Sequence, residues 1–274
     1  MLAVRQAIVS GLRRIGATRP LLPATALVTR SLCVKESVAF TAREALRRQG
    51  LFHYTLRESG LRAALRHRTG DVVTLGEVWR NRDYDPPAQV VAALGTPARI
   101  LDLGGNIGLF ALHALALWPT ASVVSYEPDP FNAAVLRRSQ ELNGMDGRWR
   151  LVPAAAGAAP GSVRFAAGQD ALSHVVDDGE PGATIDVRVD DVLSELAAAD
   201  LAKIDIEGGE WEILGDPRFA SAPPRVLVLE YHPRGCPSGD PHAAVRDALS
   251  AAGLSHAEIW ARDDGYGMLW AWRG

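Results

Sequence analysis

The chain has 274 residues, 47% of them hydrophobic and 22% charged, which suffices for one large domain or a main domain with a smaller attachment. Its 29 basic and 32 acidic side chains leave a net charge of −3. That balance gives no electrostatic case for wrapping nucleic acid and points to a small or neutral partner. Cys33 and Cys236 are too few for a disulfide framework and form no C-x-x-C pattern, so they read as free thiols of a reducing compartment. Arg5, Arg13 and Arg14 interrupt the apolar start, and no stretch reaches the roughly 18 apolar residues of a membrane span. A cytoplasmic protein without a membrane partner is expected.

Residues 1 to 50 read as helical, with a break at Arg19-Pro20-Leu21-Leu22-Pro23 and a helix over 36–48 stopped before Gly50. A hairpin follows, Leu51 to Leu56 and Leu61 to His67, turning through Glu58-Ser59-Gly60. TLGEVWRNRDYDPPAQVVAAL reads as a short helix, a loop, and a helix opened by Pro86-Pro87. From Ala98 the pattern alternates. ARILDLG, SVVSYE, RWRLVPAA, LAKIDIE and RVLVLEYH read as strands, separated by amphipathic or apolar helical runs. An extended pair is expected near 162–167 and 184–189, and HAEIWA with YGMLWAWR closes the chain as a strand pair. Such alternation predicts an α/β fold, a doubly wound, mainly parallel sheet. Two parts are expected, an N-terminal helical and hairpin extension over 1–70 and a main domain over 71–274.

The loop DLGGNIG, Asp102 to Gly108, lies between a strand and a helix. Its glycines let the backbone approach a ligand, and the helix start adds unpaired N–H groups. A dinucleotide fingerprint would require glycine where Leu103 stands, so a nicotinamide oxidoreductase is disfavoured. The carboxylate of Asp102 instead suits a cationic, methionine-derived cofactor. Glu127 ends the next strand, 25 residues on, where a carboxylate accepts hydrogen bonds from a ribose diol.

KIDIEGGEW, Lys203 to Trp211, concentrates charge at the same carboxyl edge of the sheet, and the next strand brings Glu230 and His232 there on one face. His232, whose ordinary pKa lies near neutrality, is the first candidate for a general base, with Asp205 second and a neighbouring carboxylate to orient it. His113, on an apolar helix, reads as a packed core residue. A Mg²⁺ ion held by Asp205, Glu207, Glu210 and Glu230 is a less favoured alternative.

DLGGNIG (102–108), EPDP (127–130), VDDVL (189–193), KIDIEGGEWEIL (203–214) and LEYHP (229–233) together resemble the FkbM-family methyltransferases, over roughly Val73 to the C-terminus. The resemblance implies a class I methyltransferase (Rossmann-like) sheet of seven strands with the last antiparallel. It implies S-adenosylmethionine as cofactor and O-methylation of a hydroxyl on a natural product or sugar. By that similarity Asp102, Gly104, Asn106, Gly108, Glu127, Pro128, Ala154, Ala155 and Asp205 would bind the cofactor. His232, Asp205 and Glu207 would be catalytic, and Glu210, Glu230 and His174 would meet the acceptor. Asn106 stands where many methyltransferases have a third glycine. The loop GQDALSHVV leaves the roles of Asp170, Ser173 and His174 open. N-methylation, or a non-catalytic nucleoside-binding partner protein, are the alternatives. The first 50 residues would cap the acceptor pocket or form a homodimer contact, or their Arg-rich faces would be solvated surface alone.

Overall fold

The computed structural model describes residues 24–168, 174–175 and 184–274. Strands are numbered in chain order: β1 Gly50–Thr55, β2 Arg62–His67, β3 Arg99–Leu103, β4 Ser122–Tyr126, β5 Trp149–Val152, β6 Ala155–Gly157, β7 Gly161–Ala166, β8 His174–Val175, β9 Ile185–Asp191, β10 Leu201–Ile204, β11 Val226–Tyr231, β12 Leu254–Ala261 and β13 Gly267–Arg273. The main sheet has seven strands in the order β12-β13-β11-β10-β3-β4-β5. Neighbours from β11 to β5 run parallel, whereas β13 runs antiparallel to both β11 and β12.

Every residue of β10 and β11 is buried, as helical cover on both faces demands of a parallel sheet. The helix Leu109–Leu117 is buried along most of its length, because LFALHALAL offers water almost nothing. His113 in it is buried edge-on against Trp79, with ring centroids 5.2 Å apart, and lies in the core as its apolar surroundings implied. Helix ends follow local chemistry. Asp129 accepts from the Phe131 N–H at 2.8 Å with Pro130 in the first turn, and left-handed Gly144 (φ 61°) stops that helix after Asn143.

The chain order β3, β4, β5 steps outward on one side of β3, and β10, β11 continue on the other. That reversal opens a crevice at the carboxyl ends of β3 and β10. A second sheet, β6-β9-β7-β8, stands beside it. The hairpin β1–β2 is tied to the main unit: the Ala64 N–H donates to Ser139 Oγ at 3.0 Å, and the Arg62 N–H to Asn143 Oδ1 at 2.8 Å. Phe40, Tyr54 and Leu65 of the N-terminal part share one apolar core with Leu112, Leu136 and Trp149. The short helix expected after the hairpin begins as α-helix over Asp71–Leu75 and continues as a π-helical turn over Gly76–Asn81. It ends at Arg82 in the left-handed region (φ 60°). Among the described residues no helix is long and apolar enough to cross a membrane.

Candidate active site

The glycine loop is shaped by close packing. Gly104 has φ +83°, and a Cβ there would lie 1.8 Å from the carbonyl oxygen of Asp205, so no other residue fits where β3 and β10 end together. Gly108 (φ +85°) is hemmed by the Trp149 ring, 2.7 Å from where a Cβ would sit. Both Gly104 and Gly105 donate N–H bonds to the carbonyl of Tyr126, at 3.1 and 2.8 Å. These bonds hold the loop over the end of β4. Asn106, at φ +48°, then donates its N–H to Glu127 Oε2 at 2.6 Å, while Glu127 Oε1 accepts from the Asp129 N–H at 2.8 Å. Burial pushes the Glu127 carboxyl up to about 8 against the pull of those two donors.

The crevice is lined by Gly104, Asn106, Glu127, Pro128, Asn132, Ala155, Phe165, Asp205, Glu207 and neighbouring residues. Of the residues expected to bind a cofactor, Gly104, Asn106, Glu127, Pro128, Ala155 and Asp205 therefore lie on one wall system. Asp102 does not. It is fully buried behind the loop, where Oδ2 accepts from the Ser125 hydroxyl at 2.8 Å and Oδ1 lies 3.5 Å from Lys203 Nζ. Lys203 also sits 3.5 Å from Asp205 Oδ2 and donates to the Gly104 carbonyl at 2.8 Å. Burial disfavours its charge, but Asp205 and Asp102 outweigh that and hold the ammonium protonated. Asp102 thus anchors the loop through Lys203 and Ser125. Gly108 and Ala154 are also buried off the lining.

The charged end is built on Glu210, which is fully buried. Its Oε1 accepts from the His232 N–H at 2.7 Å and lies 3.0 Å from His232 Nδ1, and its Oε2 accepts from the Gly208 N–H at 2.8 Å. Glu210 therefore clamps the end of β11 to the turn after β10, where Glu207 (φ 55°) and Gly208 (φ 108°) both take left-handed backbone. The other ring nitrogen, His232 Nε2, lies 3.3 Å from Glu207 Oε2 and 4.0 Å from Asp205 Oδ1. Burial opposes protonation of this ring, yet the Glu210 hydrogen bond and the nearby Glu207 charge raise its pKa to about 10. The ring is buried and off the crevice lining, whereas Asp205 and Glu207 are on it and about a quarter exposed. An acceptor molecule would meet those carboxylates before the imidazole. Glu230 is buried at the end of β11 and off the lining. His174 lies in β8 opposite Ala166, and Asp170 and Ser173 fall outside the described residues.

Several lining residues had no signal in the motifs. Phe165 comes from β7 and Val175 from β8 of the second sheet; Asn132 stands in the first turn of the helix after EPDP, where its Oδ1 accepts from Arg66 at 2.7 Å. Only the position of Asn132, directly after the acidic strand end, could have suggested it.

The chemistry of this lining can be tested against a nucleoside-bearing methyl donor. Asn106 Oδ1 is buried with no hydrogen-bond partner among the described residues, an acceptor awaiting a donor such as an ammonium group. Glu127 keeps lone pairs for a diol, and Ala155, Phe165, Val175 and Ile206 supply apolar surface for a base. The residues fit that group.

Strand order and the reversed β13 make this the class I methyltransferase architecture that the sequence implied. The model of the methyltransferase FkbM domain matches residues 102–255, and the chain belongs to that family. It is similar to Methyltransferase 1 of Beauveria bassiana (strain ARSEF 2860), 29% identical over 163 residues, which are 50% of this chain and 64% of that protein. The chain thus matches somewhat under two thirds of that relative's length. It is also similar to Methyltransferase sdnD of Sordaria araneosa, 27% identical over 197 residues, 58% of this chain and 74% of that one. Among solved structures it resembles the methyltransferase FkbM of Methylobacillus flagellatus KT at 14% identity and a TM-score of 0.44, over 90% of this chain and 58% of that one.

Proposed function

We propose that the protein transfers a methyl group from S-adenosylmethionine to a hydroxyl oxygen of a small-molecule acceptor. The carrying observation is the crevice at the sheet's reversal point. It has a buried carboxylate, Glu127, and an acceptor without a hydrogen-bond partner among the described residues, Asn106 Oδ1, together with a paired carboxylate edge at Asp205 and Glu207. Membership of the FkbM family supports the reading. When bound, S-adenosylmethionine would supply a sulfonium methyl for transfer to the acceptor oxygen, with S-adenosylhomocysteine departing as a neutral thioether.

The chain's own residues would do the rest. Glu127 would hold the ribose and Asn106 the ammonium group, and Lys203 fixes Asp205 from behind. Asp205 and Glu207 face the acceptor, and Asp205 takes its hydroxyl proton. His232, locked by Glu210, sets the position and charge of both. Most of the acceleration would come from holding the oxygen in line, since the leaving group is already good. An acidic edge and a net charge of −3 favour a small acceptor over a nucleic acid.

Calorimetric titration with S-adenosylhomocysteine, with NAD as the control, tests the cofactor class. Micromolar binding of the former alone supports it, and binding of NAD or of neither overturns it. A panel of hydroxylated and amino acceptors, scored for methylated product by mass spectrometry, then decides the acceptor atom.

A further inference from the structure

We propose that Asp205, Glu207 and Nε2 of His232 form a site for one divalent first-row transition-metal ion.

Three features support this donor set. The first is geometry. One ligand atom from each residue lies within 4.8 Å of the others. Metal–ligand bonds of about 2.1 Å put adjacent ligands about 3 Å apart and opposed ones about 4 Å apart. The spacings from Nε2, 3.3 Å to Glu207 Oε2 and 4.0 Å to Asp205 Oδ1, fall in that span. The second is the orphaned nitrogen. His232 is 2% exposed, and its Nε2 has no hydrogen-bond partner among the described residues although it points at two carboxylates. A proton on Nε2 faces the two carboxylates in the metal-free protein, and a divalent ion would take that proton's place between the same three groups. The third is the support behind the ring. Glu210 sits at Nδ1, 3.0 Å away, and also accepts the His232 backbone N–H. A carboxylate there keeps the proton on Nδ1 and turns Nε2 toward the cluster, the arrangement that orients metal-binding histidines.

This set differs from the all-carboxylate Mg²⁺ set considered from the sequence. Both oxygens of Glu210 are already taken by His232 and Gly208, and the cluster gains an imidazole instead. A nitrogen donor beside two carboxylates selects Mn²⁺, Fe²⁺, Co²⁺ or Zn²⁺ over Mg²⁺. The two carboxylates are partly open to the crevice, so positions on the ion would remain for acceptor oxygens. Such an ion supplies charge that lowers the pKa of a bound hydroxyl. The inference rests on the proposed methyl transfer only for that last role, since the site itself is defined by the three side chains.

The test is titration of the metal-stripped full chain with Mn²⁺, followed by electron paramagnetic resonance, with no methyl donor present. One Mn²⁺ per chain is expected, with nitrogen coupling in pulsed spectra and at least tenfold weaker binding of Mg²⁺. Glu207→Gln and His232→Ala, each checked for folding by circular dichroism, should weaken Mn²⁺ at least tenfold, and His232→Ala should abolish the nitrogen coupling. Should His232→Ala not fold, Glu207→Gln and the nitrogen coupling of the native protein carry the test. Absence of Mn²⁺ binding, or binding unchanged in Glu207→Gln, overturns the proposal. Because the methyl donor is absent, failure here leaves the binding of S-adenosylhomocysteine untouched. Failure of that binding would in turn leave a metal result standing.

Discussion

The backbone N–H of Asn106 donates to Glu127 Oε2 at 2.6 Å, so the loop after β3 and the end of β4 meet at a single carboxylate. Glu127 is thus a structural member of the loop and the candidate ligand of a ribose at once. Its carboxyl is pushed up to about 8 by burial, with the Asp129 and Asn106 N–H groups opposing. Below that value the group is largely neutral, and above it the anion has both oxygens available to hydroxyl donors. Affinity for S-adenosylhomocysteine should therefore rise as pH increases from about 6 to about 9. Glu127→Gln should bind more weakly and lose the dependence. Calorimetry across that range checks both, and an equally steep profile in the variant would count against the assignment.

Replacing the charged edge should separate chemistry from cofactor binding. Asp205→Asn is expected to lower turnover by about a hundredfold or more, the usual scale for lost proton transfer, and His232→Ala to lower it by freeing the two carboxylates it holds. Affinity for S-adenosylhomocysteine should stay within about threefold in His232→Ala, a change of under 1 kcal/mol. Turnover unchanged in His232→Ala would remove the imidazole from the mechanism.

Two glycines with similar backbone give a sharper comparison. Gly104→Ala meets the Asp205 carbonyl at 1.8 Å, whereas Gly144→Ala, at φ +61°, meets nothing within 4 Å. The second should cost only the left-handed penalty of about 1–2 kcal/mol and leave cofactor binding intact. The first should cost more than that and abolish binding, because β3 and β10 must part. Denaturant melts with and without S-adenosylhomocysteine distinguish the two.

The N-terminal part carries its own buried polar chain. Glu44 Oε1 accepts from the Arg68 N–H at 3.1 Å and lies 2.8 Å from His67 Nδ1, whose Nε2 meets the Tyr54 hydroxyl at 2.5 Å. Burial alone would raise the Glu44 carboxyl, but the His67 and Arg68 donors overcome it and hold it below the ordinary value. A lowered carboxylate adds stability that is present above its unfolded value of about 4.5 and is lost as pH falls through the folded one. Glu44→Gln should cost about 1–3 kcal/mol at pH 7. Its stability should also fall less than the native chain's as pH drops below about 4.5, as urea melts at several pH values would reveal.

The alternation of strands and helices was legible because period and punctuation are local. ILDL, VVSY and LVLEY are short apolar runs bounded by loops, and Asp129 with Pro130 marks a helix start in the letters themselves. Depth was not legible. Asp102 reads as a strand-end carboxylate facing a cofactor, but three-dimensional packing turns it toward Lys203 and Ser125 inside the sheet. In period-two geometry Glu230 and His232 share a face, yet the backbone N–H of His232 turns to Glu210 rather than to a neighbouring strand, and its ring ends behind Asp205 and Glu207. The extended pair after β5 was visible, but its partnership with β6 was not. Ala155–Gly157 is too short to show a period, and its pairing with Val189–Asp191 spans a long separation.

That second sheet assigns the two walls of the crevice to different structural owners. The charged edge belongs to the ends of β10 and β11, whose register is fixed by burial on both faces. Ala155, Phe165 and Val175 instead come from a small, separately hydrogen-bonded unit. The two sheets share no ladder pairing among the described residues, so side-chain exchange on that wall leaves the register of the seven-stranded sheet in place. Changes of which molecules fit can thus accumulate on one wall while the reacting edge keeps its geometry. An engineer seeking new acceptors should diversify Ala155, Phe165 and Val175 and leave 203–210 alone.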